Sequence, residues 1–297
     1  MRAPLAAVGA LLMTTCPLVP TSQVNAQSLD DHPNTDVLSE TEVENDFVRT
    51  RTCGGPEGNP CREGFRPIPL EWADRRVEYR IFEAGSADFH PDQDTITDDL
   101  KSAVIDTFET WNEPDCSDFL LDPVGLTSTD YIGYDSDRSD NENIVIWRDE
   151  AWPYSGQAVG IATVVYNANN GEIFSGDIEL NTADHEFTDN DDDVKIDLRN
   201  TLTHEVGHLL GLDHSLTQPA ATMWFSAQSG ETYKRELHEA DIAGLCYIYP
   251  EGEESDLKRQ QNGSSRCAAI ATSPAQGLPM LVALMAIVLF RHRREPT

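Results

Sequence analysis

The stretch HEVGHLLGLDH, residues 204–214, is the feature that most restricts what this chain can fold into. His204 and His208 are four residues apart. On a helix that spacing puts two imidazoles on one face, about 5–6 Å apart, near enough to share one ion. His214 lies too far along the same axis to join them if the helix continues. The chain must therefore stop, turn back and return His214 to the other two. Gly211 stands where that turn needs a positive φ, which glycine adopts without steric cost. Three imidazoles suit zinc, and three protein ligands leave a fourth position for water. Glu205 sits one step round the helix. It cannot easily reach the same ion, but it can reach a water at the open position and take its proton. A lone histidine is usually structural, and HExxH alone is a moderate signal. All five fixed positions of H-E-x-x-H-x-x-G-x-x-H together are far more specific.

The segment resembles the zinc-binding signature of the metzincin metalloendopeptidases. The resemblance implies zinc on His204, His208 and His214, Glu205 as catalytic base, and a methionine turn beneath the metal. Met223, in ATMWF nine residues after His214, suits that turn. Ser215 after the third histidine is similar to the matrixin branch. VEYRIF, the following helix, NIVIW, AVGIATVVY, GDIELN and the closing DIAGLCYIY stand in matrixin order, so the likeness covers roughly residues 66–250. It implies an α+β, zincin/metzincin-like fold. A twisted, mixed five-stranded sheet with helices would face a small C-terminal subdomain holding His214 and Met223, with the cleft between. A polypeptide substrate would lie along an edge strand at Gly160, Ile161, Ala162 and Thr163. Its side chain would enter a pocket behind His204, walled by residues after Met223 such as Trp224 and Phe225, for which simple core packing is the equal alternative. Water would be the nucleophile, with no covalent intermediate.

The sequence also departs from the family. Glu179 stands where matrixins usually have a histidine of a structural zinc, so one zinc is expected. Asn181 and Asp184 match an acidic pair that helps hold calcium, with Asp177 as a further oxygen donor; the alternative is a solvated loop. Asp189, Asp191 and Asp193 alternate, but Val194 occupies the place where an EF-hand needs glycine, which favours a solvated loop. TRTCGGPEG faintly resembles a cysteine-switch propeptide. Thr52 interrupts it, no proline precedes Cys53, and Cys61 offers a disulfide partner, so a disulfide is expected.

The local pattern agrees with this layout. Val77, Tyr79 and Ile81 alternate with charged residues as in a half-buried strand. Apolar residues recur at helical spacing over 97–111. Strands are expected at 143–147, 158–166 and 176–181. Asp197 is a good N-cap for a helix running to Leu210 with Leu198, Leu202, Val206 and Leu209 as its apolar stripe. A last helix is expected over 238–248.

Residues 1–26 read as a secretory signal peptide. Residues 27–65 read as a polar leader with a disulfide loop, its first part to about residue 50 a disordered leader or short propeptide, 66–250 as the catalytic domain, and 251–266 as a polar spacer, where Asn262-Gly263-Ser264 matches a glycosylation acceptor too short to mean more than chance. Residues 267–297 run from Cys267 through an apolar stretch to three arginines. That layout resembles the sorting tails of myxobacterial surface proteins, and a plain membrane anchor remains the alternative. Either partner, membrane or sorting machinery, places the domain outside the cytoplasm, at the envelope surface or beyond it. Four cysteines lie outside the two end segments, which suggests the pairs Cys53–Cys61 and Cys116–Cys246 in an oxidising compartment. The formal net charge of −31 repels phosphate backbones and disfavours nucleic acid. The expectation is a monomeric, exported zinc endopeptidase, with calcium as a second candidate ion. The rival is a catalytically silent zinc-containing surface binding protein.

Overall fold

Val77, Tyr79 and Ile81 turn inward while Arg76 and Glu78 stay in solvent, so the alternation in the sequence becomes a strand with one buried face. The computed structural model describes residues 8–12, 39–53, 61, 66–89, 95–255 and 257–259. In chain order the elements are β1 (Val8–Leu12), α1 (Glu40–Glu44), β2 (Val48–Arg49), β3 (Glu71–Trp72), β4 (Arg76–Phe82), α2 (Asp98–Asn112), β5 (Leu120–Thr127) and β6 (Ile144–Trp147). They continue with β7 (Gly160–Asn167), β8 (Glu172–Leu180), β9 (Phe187–Thr188), β10 (Ile196–Asp197), α3 (Leu198–Leu209), β11 (Leu212–Asp213) and α4 (Glu239–Ile248).

Among the described residues, seven strands form the main sheet, in the order β1-β7-β8-β6-β4-β5, with β3 beside the start of β8. β5, β4, β6 and β8 run parallel, and β7 is antiparallel to β8. These five are the mixed five-stranded sheet expected from the sequence, although β5 was not foreseen. β1 adds to the outer edge of β7, with Leu12 opposite Thr163 and Val8 opposite Asn167. Residues of β6 and β7 are buried almost throughout, as befits strands covered on both faces.

Two helices pack behind the sheet. Thr97 caps α2 by accepting from the Leu100 N–H at 3.2 Å, and Asp98 and Asp99 complement its positive end. The Phe108 ring stacks on Tyr79 at 3.8 Å between centroids. The Trp111 indole N–H donates to the Thr203 carbonyl at 2.9 Å, which ties α2 to α3. Asp197 caps α3 by accepting from the Asn200 N–H at 2.7 Å. α3 is buried on nearly every side, and its apolar stripe Leu198, Leu202 and Val206 is fully enclosed.

Two boundaries differ from the sequence reading. The leader is not disordered throughout: residues 39–53 fold onto the domain. Ser39 and Glu42 close a capping box on α1, and β2 pairs antiparallel with β11. The spacer also begins within the domain. Ser255 and Leu257 are buried, donating to Ala73 O at 3.2 Å and Glu71 Oε1 at 3.0 Å. Both disulfides, Cys53–Cys61 and Cys116–Cys246, are formed. Most of the signal segment, residues 27–38, the Asn262 motif and the tail 267–297 lie outside the described residues. Among the described residues no helix is long and apolar enough to cross a membrane.

Ile178 lies in β8 between Val145 of β6 and Ala162 of β7, with no exposed surface. Ile178→Ala is expected to destabilise the fold by about 2–5 kcal/mol, because a cavity there cannot collapse between strands. Urea denaturation of the two proteins measures it, and a loss below about 1 kcal/mol would contradict the packing described.

Candidate metal centre

The turn after α3 decides the site. Gly211 has φ +88°, and its N–H donates to the His208 carbonyl at 3.0 Å. A Cβ at this position would lie 2.6 Å from the Leu70 carbonyl oxygen, so both the conformation and the space demand glycine. The chain then reverses through β11 and brings His214 to the helix. One ring nitrogen from each of His204, His208 and His214 lies within 4.8 Å of the other two.

The outward-facing ring nitrogens fix the tautomers of the two helical histidines. His204 Nδ1 lies 2.7 Å from the Thr222 carbonyl, and His208 Nδ1 lies 2.9 Å from the Leu212 carbonyl. A carbonyl only accepts, so each Nδ1 carries the proton and each Nε2 offers a lone pair. Burial holds His204 well below its ordinary pKa, reinforced by Lys234 and by the other two histidines. Neutral imidazole is the form that binds metal. His204 Nε2 and His214 Nε2 stand 3.2 Å apart. Tetrahedral zinc, with bonds of 2.0–2.1 Å, separates its donors by roughly 3.3 Å, so the donor set fits that ion.

Glu205 is buried beside this set. Burial raises it to about 8, opposed by the Ala162 N–H and by Lys234. The start of β7 closes on it: a Cβ on Gly160 would fall 2.9 Å from Glu205 Oε1. Of the four residues Gly160, Ile161, Ala162 and Thr163, Gly160 and the Ala162 N–H stand against the carboxyl on α3. The described pairing of β1 stops at Thr163 and leaves the first three beyond it.

Met223 is buried against α3. Its carbonyl accepts from the Ser215 N–H at 2.8 Å, and its sulfur packs where Gly207 has no side chain. Asp241 holds this turn, accepting from Thr222 N–H at 2.7 Å and Met223 N–H at 3.1 Å. Sequence reasoning missed Gly207 and Asp241. It also missed Lys234, which is wholly buried and donates to the carbonyls of Trp224 at 2.8 Å and Ser226 at 2.7 Å. Trp224 lines a cavity of about 410 Å³ together with Pro219, Ser226, Gln228, Glu231 and Tyr233. Phe225 is half exposed instead, with its ring 6.4 Å from that of His214.

Residues 71–250, more than half of the chain, match the family described as Matrixin. The chain belongs to the matrixin family. It is 28% identical over 180 residues to metalloendoproteinase 5-MMP of Arabidopsis thaliana, covering 58% of this chain and 46% of that one. It is 26% identical over 206 residues to human neutrophil collagenase, covering 69% of this chain and 38% of that one. The match thus spans less than half the length of these relatives. A solved structure of metalloproteinase-II from Bacteroides fragilis aligns at 17% identity and a TM-score of 0.35, over 62% of this chain and 56% of that one.

Of the oxygen donors singled out for calcium, Asn181 and Asp184 adjoin each other, Asn181 Nδ2 donating to Asp184 Oδ2 at 3.3 Å. Asn181 is consumed locally, donating to Ala158 O at 2.8 Å and accepting from the Asp184 N–H at 3.1 Å. Asp177 is saturated elsewhere, by the N–H groups of Gly133 at 2.7 Å and Ile144 at 3.0 Å. Glu179 is held by Arg148 Nε at 2.6 Å and the Tyr154 hydroxyl at 2.8 Å, so an ion pair occupies its place in the sheet. The acidic loop is anchored by cations of the chain: Asp191 by Arg235 at 2.6 Å and Asp193 by Lys195 at 2.8 Å. Arg235 also reaches Asp197, the cap of α3, at 2.5 Å.

Burial raises Asp177 to about 7. Its folded pKa therefore lies above the unfolded value of about 4. The stability it contributes is fully present below about pH 4 and is lost as pH rises through about 7. Asp177→Asn is expected to flatten that part of the profile. Melting temperatures of the two proteins from pH 4 to 8 measure it; parallel curves would show that the buried carboxyl does not titrate there.

Proposed function

We propose that this matrixin is an exported zinc-dependent endopeptidase, hydrolysing peptide bonds in polypeptides with water as nucleophile and Glu205 as general base. The observation that carries the reading is the juxtaposition of three converging imidazole nitrogens with the buried carboxyl of Glu205, which meets the start of β7 at Gly160 and Ala162. Zinc, when bound, supplies a Lewis acid and lowers the pKa of water toward roughly 7.

The chain's own residues do the rest. His204, His208 and His214 would hold the ion, with Thr222 O and Leu212 O fixing the two helical rings. Glu205 takes a proton from the attacking water, holds it in a dry pocket, and passes it to the leaving amine. Lys234 and the Ala162 N–H favour the ionised carboxylate that the first transfer requires. An extended substrate would pair with β7 at Gly160–Ala162 by strand addition. The antiparallel seating of β1 on the same edge supports this. The cavity beside Trp224 would take one substrate side chain. Two disulfides support an oxidising compartment. The tail 267–297 would engage the membrane or sorting machinery, and the protein would act as a monomer.

The test is cleavage of an unfolded protein by the purified chain, with Glu205→Ala in parallel. One zinc per chain, inhibition by a chelator, and a rate loss of about 10²–10⁴-fold in the alanine variant are expected. Equal cutting by the variant would remove Glu205 from its role. Zinc retained by a protein that cuts nothing would favour the silent binding protein.

A further inference from the structure

The segment from Ser39 to Cys53 has the composition of a leader but the contacts of a supporting element. Thr50 N–H donates to the Gly211 carbonyl at 2.8 Å. Arg49 pairs with Leu212 and Val48 with Asp213 across β2 and β11. Asp46 receives the Thr217 hydroxyl at 2.7 Å on its carboxylate and the Ser215 hydroxyl at 3.4 Å on its carbonyl. The loop 211–217 is thus bracketed along its length by the arm. Two of its residues matter to the metal set: His214 itself, and Leu212, whose carbonyl orients His208.

The arm is itself firmly held. Glu42, 1% exposed, accepts from Arg51 Nη2 at 2.5 Å and from the backbone N–H groups of Arg49 and Ser39, both at 2.8 Å. Arg49 donates to Leu70 O at 2.9 Å and lies 3.3 Å from Glu71. Phe47 is buried in the core against Gly244 and Tyr247. Asp46 adopts φ +59°, uncommon outside glycine, at the point where the arm turns onto the ligand loop. Loss of the arm would strip the edge of β11 and separate the buried Arg49–Glu71 pair, which is costly when one partner remains behind.

We propose that residues 39–53 are a positioning arm for the metal ligands, retained in the competent protein, rather than a propeptide that must be shed. The proposal rests on the reading of His204, His208 and His214 as zinc ligands. Glu42 and Asp46 are its positioning residues: Glu42 locks the arm, and Asp46 joins it to the ligand loop.

The experiment uses the whole chain with Glu42→Ala, Glu42→Gln and Asp46→Gly. Leu121→Ala serves as a control that loosens the fold on β5, away from the arm. Zinc content of the unaltered protein is measured first; its absence overturns the histidine reading beneath the proposal. With zinc present, its rate of loss to a chelator and the visible spectrum of the cobalt-substituted protein are compared. Glu42→Ala is expected to lose zinc about tenfold faster or more than a control of similar melting temperature, with an altered cobalt spectrum. Glu42→Gln should recover part of this, and Asp46→Gly, which leaves the core untouched, should move in the same direction by a smaller factor. Zinc loss no faster than in Leu121→Ala for both the Glu42→Ala and Asp46→Gly proteins would overturn the proposal. So would a gain of peptidase activity on weakening the arm, which is the signature of an inhibitory propeptide. If Glu42→Ala does not fold, Asp46→Gly decides alone.

Discussion

Two hydrogen bonds from imidazole to backbone carbonyl, His204 to Thr222 and His208 to Leu212, determine what the centre can be. They place the proton on the far nitrogen of each ring, so the lone pairs converge. Both acceptors belong to backbone that follows the helix, not to the helix itself. The centre therefore exists only when three separate pieces of chain are correct at once: α3, the reversal at Gly211 and the turn at Met223. Most of the surrounding polar network serves those pieces. Asp241 holds the methionine turn, Lys234 pins the carbonyls of the segment after it, and Arg235 secures the cap of α3.

Burial acts on the centre in two opposite senses. It keeps His204 neutral, which helps a metal ligand, and it raises Glu205, which hinders a base. Lys234, close to both, depresses the first and counteracts the second. A single buried ammonium thus biases both groups toward the forms that hydrolysis uses. Its own charge is met by two carbonyls and by Glu231 at 3.5 Å.

What could be read from the sequence was what is local. The histidine spacing, the glycine at the turn, the capping aspartate of α3 and the alternation of β4 each depend on a few neighbouring residues, and each is present in the structure. β5 escaped notice because Pro123 and Gly125 interrupt its pattern, and its place is set by pairing with β4. The arm escaped because its apolar anchors, Phe47 and Val48, are few, and its charges find partners far along the chain. Its capping signal, Ser39-x-x-Glu42, was legible and passed over. For Asn181, Asp184 and Asp177 donor type and spacing can be read, but not which protein groups already meet each oxygen. Asn181 and Asp177 are both satisfied by the protein.

The disulfide between Cys53 and Cys61 changes the connectivity of the chain just past the arm. The residues between them form a closed ring, so the backbone there is one of two routes from the arm to the domain. A cut anywhere in that ring opens a loop without dividing the molecule. The fifteen or so residues that support the metal loop would stay tethered at high local concentration and re-dock without a partner to find. One cut there therefore leaves the arm joined to the domain for as long as the sulfurs remain oxidised.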